Sequence, residues 1–252
     1  MIEVRGLRRD FGGIQALAGV DLRVAAGERR AVIGPNGAGK TTFFNVLTGE
    51  LAATAGTVRL GGADITTLLP WQRARRGLAR MYQRNELFEG LPAWENVALA
   101  AGLRRGTYRA FAATGRAERR AAEDQLARVG LEGRATAPAR ALSHGERRQL
   151  ELAVALAQAP TVLLLDEPTA GMSPAETERI TALIASLDRT VTLLIVEHDM
   201  DVVFRLADRI TVLHEGRVIA EGTPAEIHGD TQVHDVYLGK GLAERRADGG
   251  PA

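Results

Sequence analysis

The stretch "RAVIGPNGAGKTTFFNVLTG", residues 30–49, decides the fold. Arg30 to Gly34 reads as a short buried strand ending in glycine, and Thr41 to Leu47 reads as a helix. Between them "GPNGAGKT", Gly34 to Thr41, fits G-x-x-x-x-G-K-[ST]. Strand, glycine loop and helix in that order form the setting of a phosphate-binding P-loop. Glycines let the main chain fold round an anion with its N–H groups turned inward. The helix N-terminus adds a favourable dipole. Gly34, Asn36, Gly37, Ala38, Gly39, Lys40, Thr41 and Thr42 are therefore candidate nucleotide-binding residues.

The lysine is informative because the chain hardly uses that residue. Of 32 basic residues only Lys40 and Lys240 are lysines. An ammonium is a compact point charge that reaches β- and γ-phosphates from inside the loop. A guanidinium is a bulkier planar fork with a different geometry. The Thr41 hydroxyl falls where Mg²⁺ is held in such loops.

A second apolar run, "TVLLLDEPTAGMSP" at 161–174, ends in Asp166 and Glu167. A carboxylate at the end of a buried strand suits Mg²⁺, and Asp166 is the candidate. Glu167 points differently and is the candidate to orient or deprotonate an attacking water. In "ALSHGERRQLELAVALAQAP", 141–160, Ser143 and Glu146 make a capping box. That is enough to explain a well-made helix start. Yet a Ser hydroxyl, Gly145 and helix N-terminal amides also make an anion site. One nucleotide does not need two helix N-termini of one domain, which points to an ATP bound to another chain.

Other segments fill in the architecture. "IEVRGL", "VDLRV", "GTVRLGGADI", "TVTLLIVEH" and "RITVLHEG" read as strands. "SPAETERITALIASL" reads as a helix opened by Ser173, Pro174 and Glu176, and "TPAEI" repeats that start. Residues 84–150 are rich in Ala and Arg and read as mainly helical. Strands alternating with helices imply an α/β fold with a largely parallel sheet, and the helical block reads as an insertion.

Composition narrows the function classes. A net charge of +1 argues against bulk electrostatic binding of nucleic acid. There is no cysteine, hence no disulfide and no thiolate metal site. No apolar run approaches the ~18–20 residues needed to cross a membrane, and the N-terminus lacks a signal peptide's apolar core. Work at a membrane would be that of a peripheral subunit.

With these motifs in hand, the chain resembles the ATP-binding cassette (ABC) ATPases over nearly its full length. Gly34–Thr42 looks like Walker A and Val162–Glu167 like Walker B. "LSHGE", Leu142–Glu146, looks like the signature usually written LSGGQ. Gln83, His198 and Phe11 fall where that family has its Q-loop, its switch histidine and its adenine-stacking aromatic. The resemblance implies a P-loop NTPase, ABC ATPase fold: a mixed sheet core with flanking helices, an antiparallel β subdomain and an inserted helical subdomain. Residues 1–83 and 150–240 would form the core, 84–149 the helical subdomain, and 241–252 a disordered tail.

It also implies roles. Lys40, Thr41 and the loop amides hold phosphates and Mg²⁺. Gln83 contacts Mg²⁺ or water. Glu167 is the general base. His198 bonds the γ-phosphate. Ser143 and Gly145 reach ATP held by the opposite subunit. Three positions depart from the usual pattern: His144 for a signature Gly, Glu146 for its Gln, and Ser173 where Asp is common.

"FGGIQAL", "ENVALA", "LSHGERRQLELA", "DEPTAGMSPAET" and "AEGTPAEI" with "VYLG" are similar to the first ATPase subunit of branched-chain amino acid importers and to related urea and amide importers. That resemblance implies a second ABC ATPase as partner, in a heterodimer or homodimer. It also implies two transmembrane permeases, a periplasmic solute-binding protein acting indirectly, and a place on the cytoplasmic face of the cell membrane. The arginines 104, 105, 109, 116, 119 and 120 would then face lipid headgroups or a permease loop, or form a solvated helical face. Two other functions suit a cassette: lipid or lipopolysaccharide export, against which "VYLG" argues, and non-transport work on DNA or ribosomes, which goes with paired cassettes or basic tails.

Overall fold

A computed structural model describes residues 1–82, 87–104 and 115–233. The chain divides into two compact units, Met1–Leu68 with Leu194 onward, and Leu69–Leu193. The expected boundaries at 83/84 and 149/150 differ from these divisions.

The first unit holds a four-stranded sheet in the order β2-β1-β4-β5. β1 (Ile2–Phe11) and β2 (Ile14–Val24) form an antiparallel hairpin. Its two turn residues, Gly12 and Gly13, have φ of 49° and 98°, which L side chains rarely adopt and which a two-residue hairpin requires. β4 (Ala55–Leu60) pairs antiparallel with β1 and with β5 (Ala63–Asp64). Alternate residues Ile2, Val4, Val58 and Leu60 are buried, as period-2 patterning demands.

β3 (Arg29–Ile33), the strand into the P-loop, is buried at every residue and runs parallel to β9 (Arg209–His214). β10 (Arg217–Gly222) turns back antiparallel on β9. Arg30 lies inside this sheet, 2% exposed, yet fully paired. It reaches Glu28 at 2.6 Å, Glu221 at 2.7 Å and the Thr211 hydroxyl at 2.9 Å. A buried guanidinium is tolerated only with such compensation. α1 (Lys40–Thr48), α7 (Met200–Leu206) and α8 (Pro224–His228) complete this unit.

The second unit opens with α2 (Pro70–Arg75) and β6 (Leu78–Met81). β6 pairs in parallel with β7 (Val162–Asp166), Leu78 opposite Val162 and Met81 opposite Leu165. α3 (Ala93–Arg104), α4 (Arg116–Arg128) and α5 (His144–Ala157) pack on one another, and α6 (Pro174–Ser186) follows β7. Where described, the expected mainly helical block holds α3, α4 and the start of α5, with 3₁₀ turns at Glu132–Arg134 and Ala139–Ala141 and turns between them. α2 and β6 are additions to the sequence reading. β8 (Thr192–Val196) contains the division between the units.

Candidate nucleotide site

The phosphate loop is built by steric necessity. A Cβ on Gly34 would fall 2.1 Å from the Leu213 carbonyl oxygen, and one on Gly39 2.6 Å from that of Ala16. Gly39 also has φ of 103° and forms the N-cap of α1. Only glycine fits either place. Ala38 donates its N–H to Pro35 O at 3.1 Å, closing the loop on itself, and Phe43 and Phe44 anchor α1 in the core.

Lys40 lies 6% exposed inside this loop. Its Nζ donates to the carbonyls of Gly34 at 2.6 Å and Pro35 at 3.0 Å. A small ammonium can meet two carbonyls five and six residues back along the chain. A guanidinium would need the space the loop occupies. Asn36, Gly37 and Thr41 are exposed, Thr42 is partly so, and Ala38 and Gly39 are more enclosed.

Two further expected residues lie in the first unit. Phe11 ends β1, opposite Ile14 across the hairpin, and is 41% exposed. The Arg9 guanidinium sits over the ring, 4.5 Å from its centroid. His198 is exposed just after β8. Its N–H donates to the side chain of buried Glu197 at 2.8 Å, and Asp199 caps α7 next to it. The imidazole is thus carried on a fixed strand end.

In the second unit Asp166 is the last residue of the buried strand β7, 4% exposed. Its Oδ2 accepts from Arg80 Nη2 at 2.6 Å. Glu167 follows with φ of 48°, a left-handed conformation that a non-glycine residue adopts at a cost. The regular strand therefore ends at Asp166.

Arg148, on the buried side of α5, braces this turn. It donates from Nη2 to Glu167 O at 3.3 Å and from Nη1 to Tyr82 O at 2.7 Å, and pairs with Glu151 at 2.7 Å. Sequence reasoning missed both Arg80 and Arg148. The available signal was an arginine on an otherwise apolar helix face, "RRQLELA". Gln83 lies outside the described residues, as do Val236–Gly239 and 241–252.

Ser143 and Gly145 open α5. The Ser143 Oγ accepts the Glu146 N–H at 3.2 Å and the Glu146 carboxylate accepts the Ser143 N–H at 2.8 Å, the expected capping box. These bonds, from Ser143 first and then from Arg134, hold the Glu146 carboxyl below its ordinary range. Arg134 pairs with it at 2.9 Å, so the charge Glu146 adds is balanced within the same unit. His144 places Nε2 3.4 Å from Ala170 O. Ser173 donates to Glu176 Oε2 from both its N–H, at 3.0 Å, and its hydroxyl, at 2.7 Å. Each departure from the usual motif thus has local partners. Arg119, in the arginine-rich block, pairs with Glu123 at 2.8 Å and lies over the Trp94 ring.

The donor chemistry fits Mg²⁺. The Thr41 hydroxyl and Asp166 carboxylate are hard oxygen donors. Among the described residues no three His, Cys, Asp or Glu side chains cluster as an all-protein metal cage. A magnesium held by one or two protein oxygens, with phosphates and water, needs none.

The ABC transporter family profile matches residues 17–170, and that of the branched-chain amino acid ATP-binding cassette transporters matches residues 217–243. The high-affinity branched-chain amino acid transport ATP-binding protein BraF of Pseudomonas aeruginosa is 40% identical, over 95% of this chain and 98% of that protein. LivG of Escherichia coli, of the same description, is 38% identical over the same shares. Among solved structures, an ATP-binding cassette of an ABC transporter in its ADP conformation aligns with a TM-score of 0.85 at 28% identity, covering 95% of this chain and 98% of that one. A dimeric cassette in a post-hydrolysis state, bound to ADP and Pi, aligns at 0.78 and 28% identity, covering 89% and 99%. The chain belongs to the ATP-binding proteins of ABC transporters, in the branch that contains the branched-chain amino acid transport proteins.

Proposed function

We propose that this chain binds ATP with Mg²⁺ and hydrolyses it to energise import of branched-chain amino acids, or of a similar small amino acid, amide or urea. The observation that carries the reading is the buried Lys40 ammonium, held by Gly34 and Pro35 in a loop that admits no Cβ at Gly34 or Gly39. The 40% identity to a branched-chain amino acid transport protein supports the solute class.

Lys40 and the amides of Asn36–Thr42 bind the phosphates, and Phe11 offers a ring face to adenine. Mg²⁺, when bound, neutralises charge on the β- and γ-phosphate oxygens; Thr41, Asp166 and Gln83 are the residues that would hold it. Glu167 takes a proton from the attacking water. His198 bonds the γ-phosphate. Ser143 and Gly145 serve ATP held by a second cassette, of the same or a different kind. The unit works with two permeases and, through them, a periplasmic binding protein, on the cytoplasmic face of the membrane. Among the described residues no helix is long and apolar enough to cross a membrane.

The test is affinity purification of the tagged chain from gently solubilised membranes, with mass spectrometry of its companions. Two polytopic permeases and a second cassette are expected. Recovery of DNA or ribosomal proteins without a permease would leave the cassette and remove the transport role.

A further inference from the structure

Asp166, the candidate Mg²⁺ carboxylate, does not end its strand alone. β6 and β7 run parallel with Arg80 opposite Leu164, so Asp166, two residues further along β7, is the next side chain on the same face. The Arg80 guanidinium reaches forward to it, Nη2 donating to Oδ2 at 2.6 Å. The two side chains are nearly closed to solvent, at 5% and 6% exposed. The same guanidinium lies over the Tyr82 ring, 4.6 Å from its centroid. A planar cation resting on a ring holds its nitrogens in a fixed direction, which a solvated surface arginine does not. The ion pair uses Oδ2, and a carboxylate has a second acceptor oxygen, Oδ1.

We propose that Arg80 is a positioning residue of the metal site: it fixes the Asp166 carboxylate by one oxygen so that the other serves Mg²⁺, and it does so without touching the nucleotide. The inference rests on the assignment of Asp166 to Mg²⁺ under the proposed function. A carboxylate turned beforehand has no side-chain freedom left to lose when the metal arrives. Hydrogen-bond partners that orient a ligating carboxylate in this way typically strengthen metal binding 10–100-fold. The guanidinium charge by itself would repel a cation, so tighter binding on its removal is the opposing outcome.

The test reads metal binding rather than turnover. Mn²⁺ is titrated by electron paramagnetic resonance into the full chain holding a non-hydrolysable ATP analogue, and affinity for the analogue alone is measured in EDTA. Arg80→Met is expected to weaken Mn²⁺ binding roughly 10–100-fold and to leave metal-free nucleotide affinity unchanged. Asp166→Asn should also weaken Mn²⁺ binding. In the Arg80→Met/Asp166→Asn double variant the arginine should cost nothing further, because it acts through Asp166. Unchanged or tighter Mn²⁺ binding in Arg80→Met, with Asp166→Asn still weak, overturns the positioning role and leaves Asp166 as the metal residue. Equal losses of metal and of metal-free nucleotide affinity mean general distortion and overturn it as well, as do additive losses in the double variant. If neither single substitution weakens Mn²⁺ binding, the assignment of Asp166 falls and the proposal with it. If Arg80→Met fails to fold, Arg80→Lys takes its place. It keeps the charge but loses the plane that rests on Tyr82, and wild-type Mn²⁺ affinity in that variant overturns the proposal.

Discussion

Arg148 holds the main-chain oxygen of Glu167 at 3.3 Å while its other terminal nitrogen holds that of Tyr82 at 2.7 Å. One guanidinium thus ties the turn of the expected general base to the residue that precedes Gln83. Its own charge is met by Glu151, 7% exposed. Arg148→Met should lower stability by about 3–5 kcal/mol, the usual cost of breaking a buried pair from one side. It should also lower kcat for ATP, because Glu167 loses the brace on a left-handed backbone that resists holding. Urea denaturation and steady-state turnover check the two effects separately. Wild-type turnover in a destabilised Arg148→Met protein would remove the bracing role.

Lys40 makes a sharper prediction than its motif alone. Lys40→Arg keeps the charge but needs a planar fork where the loop leaves room for one nitrogen between two carbonyls. Lys40→Arg and Lys40→Ala should therefore both weaken ATP binding by roughly 10²-fold, in line with loss of charge-assisted bonds to phosphate. Isothermal titration with ATP measures it. Near-wild-type affinity in the arginine variant would mean the ammonium is chosen for charge alone.

The loop glycines differ in what they protect. Gly37 has open space around it, so Gly37→Ala meets no obstacle beyond its positive φ of 81°. Gly34→Ala drives a methyl into the Leu213 carbonyl at 2.1 Å. Main chain cannot give way as a flexible side chain does. Gly34→Ala should destabilise by roughly 2–4 kcal/mol and Gly37→Ala by about 1 kcal/mol. Thermal melts of the pair decide it.

These contrasts show where the sequence was legible. The P-loop, the Walker B strand and the capping boxes at Ser143, Ser173 and Thr223 are local patterns. Each is specified within a few residues by glycine sterics, capping or a continuous apolar run. What escaped was non-local. Arg80 and Arg148 look like any other arginine in an Arg-rich chain until the fold brings Asp166 and Glu167 O to them. β6 is four residues long and α2 six, too short for periodicity to declare.

The capping carboxylates predict an acid response. Glu226 accepts the Thr223 N–H at 2.7 Å and its hydroxyl at 3.0 Å, and these bonds, with Arg209 nearby, hold its carboxyl below the ordinary 4.5. Glu146 and Glu176 are lowered in the same direction by their own boxes. The folded pKa lies below the unfolded one, so the unfolded chain binds protons first as pH falls. The stabilisation is complete above about pH 4.5 and is lost as pH drops through the lowered values. Thermal midpoints measured from pH 7 to 3 should stay level above 5 and fall below it. Glu226→Gln keeps the box but cannot titrate, so its curve should fall less steeply over the same window. α8 packs against β9 and β10, which makes its release visible in the global melt. Parallel curves for the two proteins would show that the Thr223 box does not carry the acid sensitivity.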